Sequence, residues 1–424
     1  MSYPRNISHN ILTQALKIVL GTLTAIIVAR ALGPAGQGYV AYIVLIFNLL
    51  GNFGHLGIIN AVAYFQKKSG FARPEIFSTN VNLLGLLSLL YPTLIFFLFF
   101  SGNILQSYNP WYILGGIILM VSTLFTTHHQ AWLMGDEKII QNNRIALTVF
   151  LLKSLLILAL WLLGGLNPFS FFMITVLAML LWLVLIRFSV KEAWLKAISL
   201  PVLKAEMSYG LVAWSAALFA FLHYRADQIM IKQILGMADL GVYTIAVSIA
   251  ELLFLFPFSI HSALSGRLYN LEAENDGRSL ISRTLRVSML ICLALCLVGV
   301  AGSFLIPLVY GAPYSAGTAI MLILLPGVLF ACLPKVLSPW FFSSGRPMVH
   351  LWITLVCLLL NIALNALLIP LYGIRGAALA SSISYMFYGL YYLLMMRYGE
   401  GFSFSELLLI NRHDWQIAKG LWKR

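Results

Sequence analysis

Twelve apolar stretches punctuate the chain, near residues 10–32, 39–65, 76–100, 111–134, 145–164, 169–189, 208–235, 241–263, 284–309, 317–342, 349–370 and 376–396. Each is long enough for a bilayer core, which takes about 20 residues per helical crossing. The runs are continuous rather than alternating with period two, which predicts helices and not barrel strands. The expected fold class is therefore an all-α, polytopic membrane protein: 12 transmembrane helices in two six-helix halves around a central cavity. The longest polar interruption, 187–206, ends in AWLKAISLPVLKAE, the composition of an amphipathic segment at the cytoplasmic interface. It divides the chain into an N-terminal half with its linker (1–206), a C-terminal half (207–396) and a cytoplasmic tail (397–424).

Composition narrows the class further. The 424 residues are 61% hydrophobic and only 10% charged, with a mean hydropathy of +0.91, whereas a soluble domain carries about 25% charged residues. That excludes a soluble enzyme and a disordered chain. A net charge of +13 would point to nucleic acid in a soluble protein, but here the positions of the charges decide. Loops alternate in character: GPAGQG, SGNILQSYNP, GGLNP, GMADL, GAPYSAG and LYGIRG are nearly uncharged, and the loops between them are rich in Lys and Arg. Of the 27 basic residues, 20 lie on the charged side, one (Arg375) on the other, and six within spans. The positive-inside rule then puts both termini and the charged loops in the cytoplasm, as an even number of spans requires. The basic excess becomes a topology signal, and nucleic acid is not expected as a partner. The N-terminus lacks a signal-peptide cleavage site, so the first helix is expected to remain. Cys292, Cys296, Cys332 and Cys357 all fall in apolar runs and read as packing residues without metal spacing.

The halves echo each other. VARALGPAGQGYVAYIVLIFNLL and IKQILGMADLGVYTIAVSIAELL both carry Leu-Gly, four residues, then Gly, which sets Gly33 and Gly38 against Gly236 and Gly241 at an offset of 203. A weaker echo joins AWLMGDEK to PWFFSSGRPM. Six spans per half make these parallel repeats, related by an axis along the membrane normal, and repeat-built transporters hold substrate near the midplane at the repeat interface.

Charges inside the spans carry the candidate chemistry. Lys17, Arg30, Lys153, Arg225, Lys232 and Lys335 face only two acids, Asp227 and Glu251. Each costs about 3 kcal/mol at a helix centre and so marks a partner or a water-filled path. Asn10, Thr13, Gln14, Lys17, Gly21 and Thr24 fall on one helical stripe; Asn48, Asn52 and His55, then Thr244, Ser248 and Glu251, then Thr354, Asn361 and Asn365 form others. A stripe that holds a charge and repeats by symmetry reads as a cavity wall; a lone Asn or Thr would be interhelical glue. Arg225 and Lys232, seven apart, are expected to offer positive charge to an anionic substrate, with Lys17, Arg30 and Lys153. His223 and Asp227, four apart, read as a protonation or counter-ion site with Glu251 nearby; the competing reading makes Asp227 the neutraliser of Lys17 or Lys153. Of the adjacent His128 and His129, one is expected to point away from any site. Pro257, Pro326, Pro334 and Pro339 are expected to break spans eight and ten.

Three motifs then bring a family into view. ARALGPAGQGYVAY (29–42), YRADQIMIKQILGMADLGVYTIAVSIAE (224–251), and GRPM (345–348) followed by NIALNALLIPLYGIRGAALASSIS (361–384) resemble the signatures of the polysaccharide transporter family within the multidrug/oligosaccharidyl-lipid/polysaccharide flippases. The resemblance covers essentially the whole chain. It implies a flippase that moves a polyprenyl-pyrophosphate-linked oligosaccharide from the inner to the outer leaflet of the bacterial cytoplasmic membrane by alternating access, for O-antigen, capsule or exopolysaccharide. It also implies working contacts with a glycan polymerase or ligase, and it carries Arg30, Arg225 and Asp227 as motif residues. The related lipid II flippases have fourteen spans, two more than expected here.

Two other classes compete. A membrane enzyme acting on glycans needs catalytic residues in a large outer loop; the longest one, 101–110, has no charged residue, and no G-x-S-x-G, H-E-x-x-H or Walker A motif occurs. No cofactor is expected, and in the absence of an ATP site any driving force would be H+, Na+, the membrane potential or removal of product. A cation-coupled multidrug antiporter of the same superfamily favours an acidic cavity, against which the surplus of cations argues.

Overall fold

The structure is a computed structural model that describes residues 3–68, 70–101, 105, 107–194, 197–268 and 274–409. The side chains of Asn10, Thr13 and Gln14, and most of the tail 397–424 from residue 410 on, lie outside what it describes. The described residues form no strand. In order come α1 (Tyr3–Phe53), α2 (Ile58–Lys68), α3 (Arg73–Ser101), α4 (Pro110–Gly135), α5 (Ile139–Leu162), α6 (Pro168–Ser189), α7 (Leu200–Ile234) and α8 (Met237–Ala250). After a 3-10 turn, Glu251–Phe254, follow α9 (Leu255–Leu268), α10 (Glu274–Ser303), α11 (Ile306–Tyr310), α12 (Ala316–Ser343), α13 (Pro347–Tyr372), α14 (Ile374–Leu394) and α15 (Phe404–Leu408).

Eleven helical segments among the described residues are long and apolar enough to cross a membrane, and the first is double. Leu16–Phe53 has 38 residues, or about 57 Å at 1.5 Å per residue, nearly twice a bilayer core. It is divided at Gly33, whose φ of 64° and ψ of 176° lie outside helical space, with Pro34 following. Gly236, the repeat partner of Gly33, has φ 113° and ψ −172° and separates α7 from α8. Both sit in a backbone region that glycine alone adopts at low cost. The Leu-Gly echo is thus a structural device: the same break between the first two spans of each half.

Two compact units divide the chain, Met1–Ser215 and Ala216–Arg424. Inside the first, α4 packs on α1, α2 and α6, and α6 on α5; inside the second, α12 packs on α8, α9, α10 and α14, and α14 on α13. The hub is the same in both: α4 and α12, the fourth span of each half, pack on the second span and on the sixth. Phe77, Trp132, Ile186 and Val202 form a core in the first unit, and Leu337, Phe341, Tyr388 and Tyr392 one in the second. The opposite faces of α3, α5 and α10 expose Leu89, Phe97, Leu155 and Leu297, a surface that only acyl chains can solvate.

Loops of like character meet within each unit. In the first, Lys67 pairs with Glu137 at 2.7 Å, and Arg73 with Asp136 at 2.9 Å and Glu192 at 2.6 Å. In the second, Arg346 pairs with Glu400 at 2.7 Å and Arg278 reaches Glu406 at 3.8 Å. Every one of these residues comes from a loop or helix end on the charged side of the sequence pattern, so those connections share one face in each unit.

Two expectations need correction. The span containing Pro326, Pro334 and Pro339 is not broken: α12 runs through all three. The carbonyl that Pro339 leaves without an intrahelical donor, that of Lys335, accepts a hydrogen bond from His261 Nδ1 at 3.0 Å. Span eight does break, at the 3-10 turn Glu251–Phe254, because the Pro257 ring excludes the Leu253 carbonyl one turn back. The linker is also shorter than 187–206, since α7 begins at Leu200 and takes Glu206 into a buried helix face.

Candidate functional site

The second unit holds a polar cluster inside apolar helices. Asp227, on α7 and 1% exposed, is its centre. Its carboxylate accepts hydrogen bonds from Tyr243 Oη on α8 (2.5 Å), Ser381 Oγ on α14 (2.8 Å) and the backbone N–H of Gln228 (2.7 Å). Asn361 on α13 donates to Ser381 Oγ (3.3 Å) and to Ser384 Oγ (3.1 Å), and Ser384 Oγ lies 3.1 Å from His223 Nε2. Asn365 closes the chain by donating to the Asn361 side chain at 3.0 Å. His223 and Asp227 are thus joined, as their spacing predicts, but through two serines and an asparagine. His223 packs between the rings of Tyr385 and Tyr388, and its Nδ1 is buried without a partner.

The partners of Asp227 all come from its own unit, so hydroxyls and a backbone amide share its charge where the sequence reading offered Lys17 or Lys153. Three donors satisfy the carboxylate, two of them hydroxyls from α8 and α14, and Asn361 of α13 lies one hydrogen bond further out. Oxygen ligands of this kind suit a proton or a small hard cation.

Arg225 behaves differently from the expectation of a free cation. Its Nη1 and Nη2 each lie 2.7 Å from a separate oxygen of Glu251. This bidentate pair is the strongest charge-assisted geometry open to a guanidinium, and it uses Glu251 as a counter-ion. The pair was hidden because helix spacing says which residues share a face within one helix, not which helices meet.

Lys335 takes the place that Arg225 gives up. It is 8% exposed, and its Nζ sits 4.1 Å over Phe254, 4.3 Å over Phe258 and 4.6 Å over Tyr224, whose hydroxyl accepts its proton at 3.2 Å. Cation–π contacts of this sort offset part of the cost of desolvation without cancelling the charge. In the first unit, Lys17 lies 6.0 Å from the Trp182 ring and Lys153 5.7 Å from that of Phe171. Among the described residues none of these three lysines has a carboxylate within ion-pair distance. Arg30 is exposed and Lys232 half-buried, each with an interaction of its own.

The polar stripes split by role. Thr24 bonds Ser154 on α5 at 3.2 Å; Asn52 bonds the Asn48 carbonyl at 2.8 Å, and Ser248 the Thr244 carbonyl at 2.7 Å. Thr354, Asn361 and Asn365 are each 0% exposed, so the stripe of span eleven is the inner seam of α13 and α14, not a cavity wall. His128 is buried against Phe77 and Trp132, and His129 against Phe77; neither points to lipid. The four cysteines are free and buried.

Residues 214–367 match the family model MatE. The capsular polysaccharide biosynthesis protein CapF of Staphylococcus aureus is 26% identical over 177 residues, 41% of this chain. That alignment spans 44% of the length of CapF. Among solved structures, a multidrug resistance MATE family transporter of the MOP superfamily in an inward-facing conformation superposes with a TM-score of 0.67 at 14% identity, covering 90% of this chain and 94% of that one. The lipid II flippase MurJ in an inward closed conformation gives 0.63 at 15% identity, covering 98% and 92%.

Proposed function

Taking the chain as a member of a polysaccharide flippase family of the MOP superfamily, we propose that it moves a polyprenyl-pyrophosphate-linked oligosaccharide from the inner to the outer leaflet of a bacterial cytoplasmic membrane by alternating access. The glycan is destined for O-antigen, capsule or exopolysaccharide. The observation that carries this reading is the set Lys17, Lys153 and Lys335: cations within apolar helices, cushioned by aromatic rings and left without carboxylates among the described residues. An uncompensated ammonium inside a membrane protein is costly to retain unless an anion uses it, and a pyrophosphate is an anion that would. The capsular relative supports a glycan cargo. Both termini and the ion-paired loops face the cytoplasm in this reading, where polymerase or ligase partners act on the product after export.

The Asp227 cluster is the coupling site. A proton or Na+ taken up there would change the charge of the α7–α14 seam, and that seam could bias the two access states. The decisive experiment depletes the protein in cells and locates the lipid-linked glycan. Accumulation on the cytoplasmic leaflet supports flipping; loss of glycan synthesis would favour a biosynthetic role. A second reading, a cation-coupled multidrug antiporter, draws on the fold likeness to the MATE transporter; export of organic cations that is undiminished by added acidic residues at Lys17 and Lys153 would favour it.

A further inference from the structure

A second ionisable site lies in the first unit, outside everything assigned above. Glu206 is 0% exposed on the second turn of α7, and Asn80 is 0% exposed on α3. Asn80 Nδ2 donates to Glu206 Oε1 at 3.1 Å. The other two polar atoms of the pair, Glu206 Oε2 and Asn80 Oδ1, are both buried and both lack a partner. Each is an acceptor, and buried acceptors are rarely left without a donor. A carboxylate and a carboxamide side by side can satisfy only one of their two contacts; a carboxylic acid supplies the missing donor.

We propose that Glu206 is a proton-binding site, held as the neutral acid in a two-bond cyclic pair with the Asn80 carboxamide. Asn80 Nδ2–H donates to Oε1, and the proton on Oε2 donates to Asn80 Oδ1. One proton taken from water thus satisfies both orphaned atoms at once.

The surroundings agree. Val202, Ala205 and Met207, neighbours of Glu206 on α7, pack into apolar clusters with α2, α3, α4 and α6. The charged groups on those elements are engaged elsewhere. Lys67 of α2 pairs with Glu137, Arg73 of α3 with Asp136 and Glu192, and Arg187 of α6 donates to the Val190 carbonyl. His129 of α4 bonds the Phe125 carbonyl, His128 packs on Phe77 and Trp132, and His55 in the preceding turn bonds the Gly57 N–H. Lys204, on α7 itself, forms no ion pair with Glu206, and Glu75, the acid at the start of α3, could only oppose its ionisation. With no cation paired to it among the described residues, losing the proton would leave a bare carboxylate in a dry site, and α7 would have to part from α3 to hydrate it. The contact between the start of α7 and α3 is therefore proton-dependent, and it lies on the helix that carries Asp227 further along. This inference does not depend on the identity of the cargo.

The test is infrared difference spectroscopy on the full chain in lipid nanodiscs near neutral pH. A protonated carboxylic C=O band that shifts in D2O is expected, absent in Glu206→Gln. Glutamine keeps the shape of the pair, because its amide can donate to Asn80 Oδ1. Asn80→Leu is expected to move the same band by removing both bonds, which reads the pairing even if the Gln variant does not insert. Raising the pH to 10 is expected to lower the unfolding temperature of the wild type more than that of Glu206→Gln. A wild-type spectrum with no band that responds to either substitution would overturn the proposal.

Discussion

Arg225 on α7 and Glu251 at the break of span eight meet through two parallel hydrogen bonds of 2.7 Å, across 26 residues of sequence. The pair ties the helices on either side of Gly236 together near their middle. Removing one partner leaves the other's charge stranded, a loss of about 3–5 kcal/mol for a fully buried pair, and about 1–3 kcal/mol here because both side chains keep some contact with solvent. Glu251→Gln and Arg225→Gln are each expected to lower the unfolding temperature in detergent. The swap Arg225→Glu with Glu251→Arg is expected to recover part of the loss. If single variants unfold like the wild type, the pair is not holding the fold.

The three lysines make the sharpest statement about cargo. Lys17→Glu, Lys153→Glu and Lys335→Glu are each expected to cut export of lipid-linked glycan at least tenfold while the protein still inserts, as measured by membrane fractionation. Lys335→Arg keeps the charge over the rings of Phe254 and Phe258 and is expected to retain more export than Lys335→Gln. Arg225→Glu is expected to abolish export too, but through the broken ion pair, so its loss must be read beside its stability. Undiminished export in the lysine variants would remove the anionic-cargo argument.

Asp227 is expected to set the ion dependence. Asp227→Asn preserves the hydrogen-bonding shape with Ser381 and Tyr243 while removing the charge, and should flatten the response of transport to Na+ or to pH. Ser381→Ala, which takes away one ligand, should weaken that response by a smaller factor. Transport assays in proteoliposomes with imposed gradients distinguish the two, and an unchanged dependence in Asp227→Asn would leave the cluster a structural seam.

Gly33 and Gly236 occupy the same unusual backbone region at equivalent points of the repeat. A Cβ at either meets no other atom within 4 Å, so any penalty is conformational rather than steric. Gly33→Ala and Gly236→Ala are each expected to destabilise by about 1–3 kcal/mol, read as a fall in unfolding temperature with no new clash to relieve. Alanine at a helical position such as Gly302 is the control and should be neutral or slightly stabilising.

Outside the membrane, Glu400 offers a pH test. Burial would raise its pKa, but hydrogen bonds from Arg346 Nη2 and Trp340 Nε1, with the charges of Arg346 and Arg278, outweigh that and hold it below the ordinary carboxylate value. A depressed folded-state pKa adds stability that is present above the unfolded value, about 4.3, and is lost as pH falls through the lower folded value. Acid titration of stability is therefore expected to show a step below about pH 4 that Glu400→Gln removes.

The resemblance drawn from the motifs holds up, and so does the all-α membrane fold. The fold was legible because it rests on a sum along the chain, hydropathy over a bilayer's thickness, whereas the resemblance rests on three short motifs. The repeat was legible from four glycines, since only glycine tolerates the backbone of Gly33 and Gly236. The site was legible in part. His223, Asp227, Arg225 and Glu251 stood out as charges where charge is expensive, yet their roles did not follow. Lys335 was counted among the cations but passed over as a site residue, and Glu206 was assigned to the linker because a charged run looks like a loop end.

By itself, then, the sequence determined the solvent this protein folds in, the number of crossings, the internal repeat and the residues whose cost demands an explanation. Only the tertiary structure decided that Arg225 is spent on Glu251, that Asp227 is held by Tyr243 and Ser381, and that Glu206 faces Asn80. Hydrophobicity and helical spacing act within a segment, whereas pairing depends on the rotation of one helix against another and on side-chain reach over a few ångströms. Those are set by packing between segments far apart in the chain.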